Sequence, residues 1–447
     1  MRYLNAPWAR TTVVFLAALL RCLSAHGQTP PEPTTWTLEG AVAYAQEHNP
    51  ELLAAAAEVR VAQAEARLAV AAQRVSASLN GYLSTGTFDN MVRSGPGSMP
   101  EDMQMMSAGS RGNLGLTVTT PLWTGGWLSA RARQAQGLTR ASEADLEAMR
   151  LELAFQTRVA YRAVLWRERL VEAWQRDVAA HEELLRVDEV KLNAGKVPLY
   201  YYLRDKTRLA ESRQSLANAQ RDYEVAMYDL SVLLGLPSPR ALELTDSLGY
   251  EPFEPAAEEA LRTAAQRRPE LAAVRARLES AAEAITAARA EYRPQVAAAL
   301  MLDAMDADGE SSRGGYTAAI VASLPLADGG RRSAQVAAAA ARRSQLGYRE
   351  EQLAQVIGQQ VMTAIARLKA SDQNVRTAME AQAAAEEDYR VARLRYDAGK
   401  AINLEPLDAL AALQRARTNL LQAMFDHSNA VDDLRHATGE LGAVNDE

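Results

Sequence analysis

The chain has 447 residues and a net charge of −7, from 49 Lys and Arg against 56 Asp and Glu, with the signs interleaved and no basic block, which excludes a nucleic-acid footprint. Hydrophobic residues make up 48% but aromatics only 6%, and with 25 Gly and 17 Pro long stretches are free of helix breakers, so the composition points to an elongated, mostly α-helical protein. The single cysteine, Cys22, excludes a zinc ribbon, a disulfide scaffold and a cysteine nucleophile once the leader containing it is removed.

Residues 1–27 read as a secretory signal peptide. Arg2 and Arg10 form a basic region, Thr11 to Leu20 an apolar one, and Ala25 and Gly27 place small residues at −3 and −1 before Gln28. Arg21 before Cys22 fits lipid attachment poorly. A Pro-rich linker, 28–35, follows. No other apolar run approaches the roughly 20 residues of a membrane-spanning helix, so any part that enters a bilayer does so as β-strands.

The remainder is duplicated, with one repeat over 36–245, a linker over 246–255, a second repeat over 256–440 and a tail over 441–447. Asn49-Pro50-Glu51-Leu52 returns as Arg268-Pro269-Glu270-Leu271, an offset of 219. Pro121-Leu122-Trp123-Thr124-Gly125-Gly126 returns as Pro325-Leu326-Ala327-Asp328-Gly329-Gly330, an offset of 204, which persists from Gly195-Lys196 to Gly399-Lys400 and from Gly235 to Gly439. The length difference therefore falls between the first two landmarks, where a surface loop tolerates it.

Within each repeat the period changes. Leu114, Leu116, Val118 and Leu122 alternate with Asn113, Gly115, Thr117 and Thr119, and Tyr316, Ala318, Ile320, Ala322, Leu324 and Leu326 with Thr317, Ala319, Val321 and Ser323; this is period two. Hairpin strands are expected near 79–88 and 112–122, and again near 295–306 and 316–326. Pro121, Gly125 and Gly126, with Pro325, Gly329 and Gly330, mark strand-to-helix turns. From Trp127 to Ala194 and from Arg331 to Ala398 roughly 68 residues run without proline, enough for helices about 100 Å long. Val171, Trp174, Val178, His181, Leu185, Asp188 and Leu192 step as a coiled-coil seam. Gly195 and Gly399 end these helices as left-handed caps, and return helices reach about Leu234 and Ala437. Four strands cannot close a barrel, so a membrane-inserted form requires several copies.

These motifs make the chain similar to TolC-like outer-membrane efflux proteins, from Trp36-Thr37-Leu38 through both Pro-Glu-Leu landmarks, both Pro-Leu-x-x-Gly-Gly turns and both Ala-Gly-Lys tips. The resemblance implies a mostly α fold with a small transmembrane β part, in which helix, β-hairpin, long helix, turn and return helix are duplicated. It also implies a homotrimer in the outer membrane of a Gram-negative bacterium, its 12-stranded β-barrel embedded in outer-membrane lipid and continued by an α-helical coiled-coil tunnel in the periplasm. The implied partners are a periplasmic adaptor (membrane fusion) protein and an inner-membrane transporter in an efflux or type I secretion system, with no nucleic acid, no cofactor, no metal and no catalytic residue.

By the same resemblance Glu405 and Asp408 occupy the family's acidic aperture, and Tyr396 matches the tyrosine before the tip. Gly195, Lys196, Gly399 and Lys400 fall at the adaptor-docking tips. The family's ion-pair lock has no counterpart, since Ala401 and Tyr201 stand in its places, so closure is expected to rest more on packing than on charge. The plainer reading of Glu405 is helix-dipole compensation, and of Asp408 a solvated face. The methionines from Met91 to Met106 read as filler of an extracellular loop rather than as soft-metal ligands, and the scattered histidines show no metal spacing. The competing class is a soluble periplasmic helical scaffold or adaptor without a pore, for which the duplicated strand pairs have no use.

Overall fold

The computed structural model describes residues 35–89, 106–238, 240–307 and 310–441. The leader, Cys22 and the loop methionines Met91, Met99, Met103 and Met105 lie outside the described residues. In chain order the elements are β1 (Thr35–Trp36), α1 (Leu38–His48), α2 (Pro50–Ala71), β2 (Ser76–Asp89), β3 (Met106–Trp123), α3 (Trp127–Asn193) and α4 (Leu199–Leu233). They continue with β4 (Glu243–Leu244), α5 (Ala257–Arg267), α6 (Pro269–Ala290), β5 (Gln295–Ala307), β6 (Glu310–Ser323), α7 (Arg331–Asp397) and α8 (Leu404–Thr438). The duplicated order of short helices, hairpin, long helix, turn and return helix is thus present. Among the described residues no helix is long and apolar enough to cross a membrane.

Each long helix starts at paired left-handed glycines. Gly125 and Gly126 have φ of 62° and 90°, and Gly329 and Gly330 have 64° and 90°. That backbone lets the chain leave a strand and enter a helix within two residues. Arg293 donates to the Gly125 carbonyl at 2.9 Å, whereas Arg332 holds the second turn through Asp328 at 2.6 Å and the Pro325 carbonyl at 2.8 Å. The two prolines behave differently. Pro121 stays within β3, accommodated by a bulge between Pro121 and Trp123, while β6 ends at Ser323, so Leu324, Pro325 and Leu326 lie past the strand in which the alternation had placed them.

The four long strands pair antiparallel in the order β2-β3-β5-β6. Register places Leu79, Leu116, Leu302 and Tyr316 in one row across the sheet, and Ala77, Val118, Leu300 and Ala318 in another on the same face. The intervening row, on the opposite face, is Ser78, Thr117, Met301 and Thr317. One face is therefore apolar and the other mostly polar, as expected of a sheet between lipid and a wet lumen. The apolar side is uncovered; Tyr316 is 79% exposed and Ile320 73%.

Below the sheet, α3 packs against α2 and α6, and α6 against α7; farther along, α3 packs against α4 and α8, and α8 against α7. The first repeat thus lies beside the second at every level, with α3 central. A buried ion pair fastens this seam. Asp432 of α8 is fully buried against Arg162 of α3, which also donates to the Ser428 carbonyl at 2.5 Å. A belt crosses the helices at this height. β1 pairs with β4 in parallel, Trp36 is buried among Tyr161, Leu230 and Leu234, and the Tyr161 hydroxyl lies 2.7 Å from Asp246. Farther along the linker, His427 Nε2 donates to the Glu251 carbonyl at 3.0 Å.

The Pro-Glu-Leu landmarks turn out to be clamps. Proline takes the first helical position of α2 and α6, where its missing N–H costs nothing. Asn49 caps α2 through the Glu51 and Leu52 amides and also donates to the Leu233 carbonyl at 2.8 Å, while Arg268 reaches the His436 carbonyl at 3.3 Å. Different side chains thereby join the start of one helix to the end of the return helix in both repeats. Gly235 and Gly439 close those return helices with φ of 77° and 81°, as C-terminal glycine caps.

A Cβ on Gly235 would meet the His48 carbonyl oxygen at 2.6 Å, one on Gly439 would meet Arg267 backbone at 3.1 Å, and one on Gly399 would meet nothing within 4 Å. All three positions carry the positive-φ cost of roughly 1–2 kcal/mol for a non-glycine residue. Gly235→Ala is therefore expected to lose the most stability, Gly439→Ala less and Gly399→Ala least. Denaturant unfolding of the three variants checks the order.

Candidate functional site at the helical tips

The two tips are built alike. After α3, Lys196 N–H donates to the Lys191 carbonyl at 2.8 Å and Gly195 N–H to Leu192 at 2.9 Å; after α7, Lys400 donates to Arg395 at 2.8 Å and Gly399 to Tyr396 at 3.0 Å. Both glycines have φ of 68°. Gly195, Lys196, Gly399 and Lys400 are all exposed and form the outermost points of the hairpins. Glu405 and Asp408 lie in the first turns of α8, behind the second tip. Asp408 is exposed. Glu405 is half-buried, 3.4 Å from Arg395 on α7, a partner that spacing along one helix does not reveal. Pro406 between them is buried.

Behind these exposed residues is a polar cluster that joins the two hairpins. The Tyr396 hydroxyl donates to Asp188 Oδ1. Asn403 Nδ2 donates to Asp188 Oδ2 at 2.6 Å and to the Asp205 carboxylate at 3.0 and 3.2 Å. Asp188, Asp205 and Asn403 have no solvent exposure. Lys191 sits 3.4 Å from the Tyr396 ring centroid and donates to the Tyr396 carbonyl at 3.2 Å, a cation held over a π-face. Burial pushes the Tyr396 hydroxyl pKa well above the ordinary phenol value, reinforced by its bond to Asp188, so this group stays a donor. Beside the cluster, Leu184, Leu407 and Leu410 form a small apolar core.

Within one chain the two hairpins are held at the tip by buried hydrogen bonds as well as by packing. In place of an ion pair, a phenol and an amide from the second repeat reach two carboxylates of the first. The seam of α3 agrees with the expected one at His181 and Asp188 and differs at the other positions. The buried stripe is Ala173, Asp177, His181, Leu184 and Asp188, while Val171, Trp174, Val178, Leu185 and Leu192 are only half-buried. Ser212 donates to Asp177 at 2.6 Å, and His181 lies 3.7 Å from the same carboxylate, its pKa lowered by burial.

The two repeats are not chemically equivalent along this stripe. At the offset of 204, Asp177, His181, Asp188, Asp205 and Ser212 correspond to Ala381, Ala385, Ala392, Ala409 and Ala416. Conversely, Tyr396 and Asn403 correspond to Leu192 and Leu199. In the cluster, Asp188 and Asp205 of the first hairpin accept from Tyr396 and Asn403 of the second, while Lys191 donates in the opposite direction. Comparing the repeats position by position is the sequence signal that could have found Asp205 and Asn403.

Removing the phenol donor leaves a buried acceptor with one partner fewer, at a cost of about 1–3 kcal/mol. Tyr396→Phe should lower stability by that amount and speed amide exchange around residues 396–405 while the sheet stays protected. Hydrogen exchange followed by mass spectrometry measures both effects.

The outer membrane efflux protein family profile matches the chain over residues 42–236 and 260–440, one stretch in each repeat. The fusaric acid resistance protein FusA of Burkholderia cepacia is 25% identical over 323 residues, covering 69% of this chain and 58% of that protein. The outer membrane protein TolC of Vibrio cholerae is 26% identical over 205 residues, covering 45% of this chain and 44% of that protein. The chain thus spans about half the length of these two relatives. The open-state structure of the MtrE outer membrane channel of Neisseria gonorrhoeae superposes with a TM-score of 0.75 over 90% of this chain and 89% of that one, at 22% identity, and so shares the fold. With both repeats matched and the whole architecture shared, the chain belongs to the outer membrane efflux protein family.

Proposed function

We propose that the chain is the outer-membrane exit duct of a tripartite efflux or type I secretion system. In this reading it is a homotrimer that conducts substrate passively from an inner-membrane transporter through a periplasmic tunnel to the outside. The observation that carries the reading is the four-stranded sheet, uncovered on its apolar face and unpaired along β2 and β6 at its edges. Three such sheets joined edge to edge make twelve strands, within the size range of membrane barrels. α3 and α7 continue the strands as helices of 67 residues each, about 100 Å long.

The tips then face the periplasm. Gly195, Lys196, Gly399 and Lys400 are exposed at equivalent turns and suit docking by the hairpin of a periplasmic adaptor. Glu405 and Asp408, three residues apart on α8, form the aperture, six carboxylates around a threefold axis. Such a ring attracts cations and repels anions. Arg395 partly offsets Glu405, which leaves Asp408 as the stronger contributor.

The test is single-channel recording from planar bilayers containing the full chain or its Glu405→Ala, Asp408→Ala double variant. The wild type should conduct, prefer cations and be blocked more strongly by multivalent than by monovalent cations; the double variant should conduct with both properties weakened. Equal selectivity and block in the two proteins would remove the aperture role. Recovery of the wild type as a soluble periplasmic monomer that forms no pore would overturn the duct and favour a scaffold.

A further inference from the structure

The cluster behind the tips is short of positive charge. Asp188 on α3 and Asp205 on α4 aim their carboxylates at one amide, Asn403 Nδ2, and all three residues are fully buried. The groups facing them can be named element by element. α3 brings Lys191, already bound to the Tyr396 carbonyl and ring; α4 brings Tyr201 and Arg204; α7 brings the Tyr396 hydroxyl. The start of α8 brings the neutral Asn403, while Glu405 faces Arg395. Arg204 lies 5.8 Å from the Tyr200 ring, and among the described residues neither buried carboxylate has an ion pair within 4 Å. An ionised Asp205 in such a place is disfavoured, because it is unsolvated and faces a second carboxylate across one amide.

The position of α4 gives this a mechanical consequence. α4 packs against α3 and forms an outer helix of the lower layer. Among the described residues, Asn403 to Asp205 is the hydrogen bond by which a side chain of the second repeat holds α4. We propose that Asp205 is a proton-operated latch: protonated, it keeps α4 docked against Asn403 and the second hairpin; ionised, it opposes the Asp188 charge and releases α4 at the tip. The proposal rests on the duct reading for its role in opening, since it supplies the regulation of the same tip.

The sign follows from proton linkage. In the docked state burial pushes Asp205 up to about 7, with the neighbouring Asp188 adding to the rise and the Asn403 amide opposing it. In a released, hydrated state the group returns toward the ordinary aspartate value of about 4. Docking therefore binds the proton. The latch is fully held below about pH 4, weakens by up to tenfold per pH unit between about 4 and 7, and changes no further above that range. Rising periplasmic pH opens the tip.

Two readouts on the full-length protein test this. In planar bilayers, open probability should climb as the pH on the tip side is raised from about 5 to 8, and Asp205→Asn, which imitates the protonated acid, should stay low and flat. In hydrogen exchange, corrected for the intrinsic base catalysis of the amides, protection at residues 199–205 should fall over the same range in the wild type and not in Asp205→Asn. Exchange that does not respond to pH in the wild type overturns the latch even where the variant fails to assemble, as does an unaltered pH response in an assembled Asp205→Asn. A pH-dependent loss of protection in a protein that never conducts would support the latch and overturn the duct.

Discussion

The chain cannot satisfy its own edges. β2 and β6 end the sheet with rows of unpaired backbone groups, α2 and α7 flank the layer below, and α4 and α7 flank the layer below that. In lipid each unsatisfied N–H or carbonyl costs several kcal/mol, so the sheet is not viable there as an isolated chain. The three layers share one order, first repeat beside second repeat. A head-to-tail contact of one copy's first repeat with the next copy's second repeat serves all of them, and closes into a ring when its rotation is right. The outer helices are prepared for that contact. Leu199, Leu203, Val225 and Val232 on α4 and Val356, Val391 and Leu394 on α7 are exposed in the single chain.

Duplication supplied the frame, and divergence at a few buried positions made the two hairpins chemically different near the tips. Alanines along the second hairpin allow close helix packing with no hydrogen-bonding demand. Their counterparts in the first hairpin are Asp177, His181, Asp188, Asp205 and Ser212, and burying these groups disfavours folding unless each has a partner. Their partners are particular: Ser212 for Asp177, and Tyr396 and Asn403 for Asp188 and Asp205. A buried polar network of this kind adds little to stability compared with apolar packing, but it restricts which helices can adjoin and makes their contact responsive to charge. The same holds higher up, where Arg162 and Asp432 join α3 to α8 away from solvent.

Much of the architecture was legible in the residues because it depends on backbone rules. Period two in Leu114, Leu116 and Val118 gave the strand, and Gly195 and Gly399 gave the tips, since few other residues accept a positive φ there. The ends of β6 and β3 are harder to read, because the same Pro-Leu sequence lies beyond the strand at Pro325 and is absorbed by a bulge within it at Pro121. The seam of α3 keeps His181 and Asp188 of the expected positions but otherwise runs through Ala173, Asp177 and Leu184. Asp177 reads as surface by type, and only Ser212, 35 residues away, shows why it is buried. Asp205 and Asn403 gave no local signal at all. Their meaning lies in a contact across 198 residues, which comparison of the two repeats hints at but which only the packed structure supplies.

A trimeric duct depends on the edges being completed by further copies. Cysteines introduced along the described parts of β2 and β6, in pairs that cover the alternative registers, would be oxidised in outer-membrane fractions and resolved by mass under denaturing conditions. Head-to-tail closure predicts that at least one register yields cross-linked products that stop at three chains. A ladder continuing past three, or monomer alone in every register, would contradict it.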